Sequence, residues 1–145
     1  MQQPKIQIYS IMKRLNVSSG SAYEKPIGFS RAVRSANTIS VSGTAPIAND
    51  GSTYAPGDLY RQTIRCIEII KKSIIDAGGQ FEDVVRTRLY LKNISEWEKA
   101  AKAHGEYFSD IRPACTFVEI KGLIKDDWLV EMEADCILDI NTPNT

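Results

Sequence analysis

From Val130 to Leu138 the chain alternates between apolar and polar side chains almost without fault. Val130, Met132, Ala134, Cys136 and Leu138 point one way, and Glu131, Glu133 and Asp135 point the other. A period of two is the signature of a half-buried β-strand, so one face of a sheet must meet a hydrophobic layer. The opposite face carries a row of carboxylates but is bordered by Leu129 and Ile137. A mixed polar and apolar sheet face reads as a surface covered by another subunit rather than as open water. Arg86 and Arg88, on a second expected strand, are placed to neutralise the acids.

The hydrophobic layer comes from two expected helices. Leu59, Thr63, Cys66, Ile67, Ile70, Ile74 and Ala77 recur three or four residues apart, which predicts a helix over 58–77. Asp58 is its cap, and Gly78-Gly79 stops it. Ser95-Glu96-Trp97-Glu98 reads as a capping box opening a second helix to about Phe108, with Trp97, Ala101, His104 and Phe108 on its inner face. Strands are expected at 29–33, 38–42, 84–92, 114–120 and 129–140, the first two forming a hairpin with a turn at Ser35-Ala36-Asn37. Within 84–92, Val85, Thr87, Leu89 and Leu91 share one face. Cys115, Phe117 and Glu119 share a face too, but period alone leaves open which one. A short strand near Ile6 and Ile8 is also conceivable, followed by a loop at 16–21. The order β-β-α-β-α-β-β, with both helices on one side, predicts a single α/β (α+β) domain over 1–145, with 1–15 a short extension.

Composition narrows the function classes. The 145 residues carry 18 Lys+Arg and 18 Asp+Glu, a formal net charge of zero, which argues against a dedicated nucleic-acid binder. No apolar run is long enough to span a membrane. Met1–Leu15 has no apolar core followed by a cleavage site, so no secretory signal is read, though Lys5, Lys13 and Arg14 leave a weak organelle-targeting reading. Cys66, Cys115 and Cys136 are odd in number and widely spaced, which fits neither a disulfide framework nor a zinc site and suits a reducing, cytoplasmic setting. The single histidine, His104, excludes a site needing two from one chain, and its place in an apolar stripe favours a structural role. No phosphate loop or metal cluster is present, so no cofactor is expected.

Several segments taken in order point further: Ile27-Gly28-Phe29, Val41-Ser42-Gly43-Thr44-Ala45-Pro46, Asp76-Ala77-Gly78-Gly79, Asp83-Val84-Val85-Arg86-Thr87, Arg112-Pro113-Ala114, Phe117-Val118-Glu119 and Glu131-Met132-Glu133-Ala134. On these the chain, from about Val17 to Asp139, resembles the Rid family, the reactive intermediate deaminases, also called YjgF or L-PSP endoribonuclease. The resemblance implies a chorismate-mutase-like fold and a homotrimer with a central barrel. It also implies a small-molecule pocket at each subunit interface and hydrolysis of enamines and imines, such as 2-aminoacrylate, to a keto acid and ammonia without a cofactor. Carried over residue by residue, the glutamate that orients or activates water falls on Glu131. The Ser-Gly pair falls on Ser42 and Gly43, and the loop glycine on Gly28, next to Phe29. The family's tyrosine falls on Ser30. The arginine that pairs with a substrate carboxylate falls on Cys115, close to Phe117, so the charged anchor is missing there. Arg31 and Arg112 are the candidate substitutes.

Three readings follow. The chain is a trimeric Rid-like protein binding a small carbonyl or imine metabolite between subunits, with imine or enamine hydrolase activity on an unidentified substrate. Alternatively, it is a non-catalytic metabolite-binding or regulatory protein on the same scaffold. The ribonuclease of the family's older name ranks last, because there is one histidine, no positive excess and no aromatic platform with basic flanks.

Overall fold

A computed structural model describes residues 13–139; the stretch around Ile6 and Ile8 lies outside them. Six strands, β1 (Leu15–Val17), β2 (Ala32–Ser35), β3 (Thr38–Thr44), β4 (Val84–Leu91), β5 (Ala114–Glu119) and β6 (Val130–Ile137), form one sheet in the order β1-β2-β3-β6-β4-β5. All neighbours pair antiparallel except β4 and β5, which are parallel. A four-residue helical turn, α1 (Glu24–Ile27), precedes β2, and two longer helices, α2 (Leu59–Asp76) and α3 (Trp97–Phe108), follow β3 and β4. This is the expected mixed fold with two main helices, and it adds β1, which falls across the boundary between the expected extension and loop.

α2 forms where its stripe predicts. The Asp58 carboxylate accepts from the Arg61 N–H at 3.0 Å, satisfying one of the orphan donors of the first turn. Gly78 ends the helix at φ 84°, a left-handed conformation that costs glycine little. Ile67, Ile70 and Ile74 are fully excluded from water against Ile39, Leu89, Leu91, Val130, Met132 and Ala134. The alternation of β6 is realised as read: Val130, Met132, Ala134 and Cys136 are buried, while Glu131, Glu133 and Asp135 are half-buried on the far face.

Three local expectations change. Val85 is 42% exposed and Val84 is buried instead, because the β4–β6 ladder shifts register between Val84 and Arg86. Such a bulge adds one residue and reverses the faces on either side of it. The second helix begins one residue later than its capping box implied. A 3-10 turn over Ile94–Glu96 intervenes, and Asn93 takes the capping role by accepting from Ser95 N–H at 3.0 Å. Trp97 is 46% exposed, and Ala100, Ala103, His104 and Phe108 form the buried face.

Candidate functional site

Most of the candidate residues meet at the β1–β2–β3 end of the sheet. Gly28, at φ 88°, closes α1 by donating to Glu24 O at 2.8 Å, and it turns the chain toward β2. Ser30 and Ser42 are tied together, the Ser42 hydroxyl donating to Ser30 O at 2.6 Å, and Asn16 Nδ2 donates to Ser30 Oγ at 2.9 Å. An open hollow of about 730 Å³ lies here, lined among others by Asn16, Gly28, Phe29, Ser30 and Ser42.

The β3 strand is irregular at this point. Its ladder with β6 shifts register between Val41 and Thr44, so Ser42 and Gly43 bulge. The Arg31 guanidinium closes over the bulge: one terminal nitrogen donates to Ser42 O at 2.6 Å, Gly43 O at 2.8 Å and Thr44 Oγ1 at 2.9 Å. Its Nε is buried without a partner. Glu131, on β6, lies against the same bulge at Gly43. A side-chain carbon added at Gly43 would collide with the Glu131 carboxylate, so only glycine leaves room for it.

Glu131 and Arg31 influence one another without touching. No ion pair within 4.0 Å joins them. Burial raises the Glu131 pKa above the ordinary carboxylate value; Arg31 opposes this, and the neighbouring Glu133 reinforces it. Burial likewise lowers the Arg31 pKa, and Glu131 opposes that. The other acids are occupied. Arg88 pairs with Asp135 at 3.1 Å and Glu133 at 3.5 Å, and the Tyr90 hydroxyl donates to Glu133 at 3.0 Å. Of the two arginines expected to neutralise this row, Arg88 does so and Arg86 forms no ion pair among the described residues. Glu131 is thus a half-buried carboxylate with no hydrogen bond among the described residues, a state suited to holding or activating water.

Cys115, Phe117 and Arg112 lie elsewhere. Cys115 pairs with Thr87 and Phe117 with Leu89 across the parallel β4–β5 ladder, which settles the open question of face: both look toward the helices, away from Glu131. Phe117 packs edge-on to Trp97 and His104, with ring centroids at 6.4 and 6.0 Å. Burial raises the Cys115 pKa, and a hydrogen bond from Thr87 partly offsets it. Thr87, fully buried, is in turn 2.8 Å from His104 Nε2. Burial lowers the His104 pKa, and its ring stacks on Phe108, which agrees with a structural histidine. Arg112 is exposed at φ 54° just past α3. Cys115 and Phe117 share the face of the buried Thr87 and Leu89, whereas Glu131 shares the opposite face with Tyr90, so within one chain the sheet stands between them. Thr44 was not singled out by sequence. Its only signal was its place after a Ser-Gly pair, and its role depends on a bulge made by pairing with β6.

Among the described residues no group of three or more His, Cys, Asp and Glu side chains converges to hold a metal, and no helix is long and apolar enough to cross a membrane. A sequence profile of the Endoribonuclease L-PSP family matches residues 20–138. A RutC family protein of Pyrococcus abyssi is 40% identical over 111 residues, covering 76% of this chain and 87% of the relative. The 3-aminoacrylate deaminase RutC of Acinetobacter baylyi is 32% identical over 101 residues, covering 70% and 79%. The crystal structure of Rv2704 from Mycobacterium tuberculosis, described as a member of the YjgF/YER057c/UK114 family, superimposes with a TM-score of 0.79 at 37% identity, over 87% of this chain and 100% of that one.

Proposed function

Because the chain belongs to the Endoribonuclease L-PSP family, also called YjgF or Rid, we propose that it is a cofactor-free enamine and imine hydrolase working in pockets between the subunits of a homotrimer. The observation that carries this is the Glu131 carboxylate, half-buried, without a hydrogen-bonded protein partner, seated against Gly43 beside a fixed guanidinium. An enamine tautomerises to its imine by gaining a proton on carbon. Water then adds to the C=N carbon while Glu131 takes its proton and returns one to nitrogen. Collapse of the carbinolamine releases ammonia and leaves a carbonyl compound. A relative named 3-aminoacrylate deaminase supports this class of substrate.

The trimer supplies what one chain lacks. Tyr23, Ile27 and Phe29 are exposed between β1 and β2, and Ile94, Trp97 and Val118 are exposed around β5 at the opposite edge. A head-to-tail ring that joins these unlike edges would cover both patches and bring Cys115 and Phe117 of one copy toward Glu131 of the next. A soluble trimer in the cytoplasm, contacting neither nucleic acid nor membrane, is the form proposed.

Cys115 favours a second reading, a metabolite-binding protein without turnover, since a thiol cannot pair with a carboxylate as a guanidinium does. One assay separates the two. 2-Aminoacrylate and 3-aminoacrylate are generated in situ, and ammonia and the carbonyl product are followed for wild type, Glu131→Gln and Cys115→Arg. The hydrolase reading expects turnover of at least one enamine, reduced about 10²–10⁴-fold by Glu131→Gln, and a gain on 2-aminoacrylate from Cys115→Arg. No turnover by wild type, or turnover indifferent to Glu131, refutes it.

A further inference from the structure

We propose that Arg31 is a positioning residue for Glu131, acting through the Ser42–Gly43 bulge of β3 to keep the carboxylate in its seat. The proposal deepens the hydrolase reading in saying what the seat is for, but the seat can be tested without any substrate.

Arg31 and Glu131 both meet β3 at Gly43. Gly43 offers its carbonyl to Arg31 and its bare Cα to Glu131. A bulge of two residues is the soft point of a strand, because its own ladder bonds are interrupted. Here three contacts from one guanidinium nitrogen replace them, to Ser42 O, Gly43 O and Thr44 Oγ1. The third partner is itself fixed: Thr44 is fully buried, and its carbonyl accepts from the Cys66 thiol of α2 at 3.2 Å. The backbone of Arg31 is pinned as well, its N–H donating to Val17 O at 2.8 Å and its carbonyl accepting from Ser42 N–H at 3.0 Å. A planar guanidinium with several donors suits this clamp, and a flexible ammonium would hold it less firmly.

The charges around Glu131 come from every neighbouring element. Glu133 stands on its own strand and Tyr90 is its cross-strand partner on β4. Arg88 of β4 is committed to Asp135 and Glu133. Cys66 of α2 is fully buried, and its thiol is pushed far above its ordinary range. Arg31 forms no ion pair within 4.0 Å among the described residues; it acts on Glu131, and Cys66 and Glu24 act on it more weakly. Burial and Glu133 both disfavour the charged form of Glu131, and Arg31 is the charge that opposes them.

The test is a carbon-13 NMR titration of the glutamate side-chain carboxyls, with Glu131 assigned by its disappearance in Glu131→Gln. Wild type is compared with Arg31→Met, Arg31→Lys and Thr44→Val. Removing the charge should favour the protonated form of Glu131 by about tenfold or more, moving its midpoint up by at least one unit. Arg31→Lys should recover most of that shift. Thr44→Val, which removes the hydroxyl that accepts from Arg31 at 2.9 Å and donates to Ser42 O at 2.8 Å, should move the midpoint the same way by about two- to threefold. An Arg31→Met protein that is folded, by its amide spectrum, with an unmoved Glu131 midpoint overturns the proposal. If Arg31→Met does not fold, an unmoved midpoint in Thr44→Val overturns it. A shift in Glu131 with no enamine turnover by wild type would leave the clamp standing and remove only the hydrolase reading.

Discussion

Replacing Gly43 by alanine adds one methyl group at the point where β3 meets the Glu131 carboxylate. The nearest atoms after the carboxylate oxygen are Cδ and Cγ of the same side chain, at 3.2 and 3.6 Å, so the whole obstruction is one movable side chain. Gly43 does not have a left-handed φ, so alanine fits its backbone. Restricting the unfolded chain should then contribute about 0.4–1 kcal/mol of stability. Forcing Glu131 into another rotamer costs on the order of 0.5–1.5 kcal/mol. The two nearly cancel, and the unfolding free energy of Gly43→Ala measured in urea should stay within about 1 kcal/mol of wild type. The function should not survive so well, because the carboxylate leaves its seat. Enamine turnover should fall about 10²-fold or more, as for loss of a general base. Gly79→Ala is the control. There the added carbon meets Ile39 Cδ1 at 2.7 Å and Ile74 Cγ2 at 3.1 Å, two packed core side chains, and overpacking should cost about 1–3 kcal/mol. Denaturation and turnover measured on both variants decide the matter. A Gly43→Ala protein as destabilised as Gly79→Ala, or one with full turnover, refutes the reasoning.

Three further outcomes are expected. Sedimentation in dilute solution should give about three times the 16.2 kDa chain mass, and a clean monomer would remove the pocket between subunits. His104 is held neutral by burial, its pKa below the ordinary 6.5. The unfolded chain therefore takes up its proton first, so stability contributed by the neutral ring is complete above about pH 6.5 and is lost as pH falls toward the folded-state value; urea midpoints should decline over that window in wild type and less steeply in His104→Phe. Gln62 is fully buried, donating to Asp127 O at 2.9 Å and accepting from Leu129 N–H at 2.8 Å. Gln62→Leu strands both backbone groups and should cost about 1–3 kcal/mol in denaturant unfolding.

The split in the candidate site shows what a period can and cannot carry. Glu131 was legible because alternation along β6 is local: once Val130 and Met132 face the core, the residue between them cannot. Gly28, Ser30, Ser42 and Gly43 were carried over by resemblance alone, and the fold places them at one end of the sheet, with Arg31 among them. Cys115 and Phe117 alternate just as well, but their exposed edge strand gave no burial contrast to say which side they take. The β4–β5 register decides it.

The sequence by itself determined the layers of this protein. The stripe on α2, the alternation of β6 and the turns between them require helices on one side of a sheet and acids on the other, because burying apolar surface is the dominant favourable term and each pattern permits only one inward face. The tertiary structure alone decided the two bulges, one turning Val85 outward and the other placing Gly43 between Arg31 and Glu131. A bulge is a mismatch between two strands distant in the chain. It exists only once they pair, so no single segment encodes it, and the seat of the Glu131 carboxylate against Gly43 depends on that pairing.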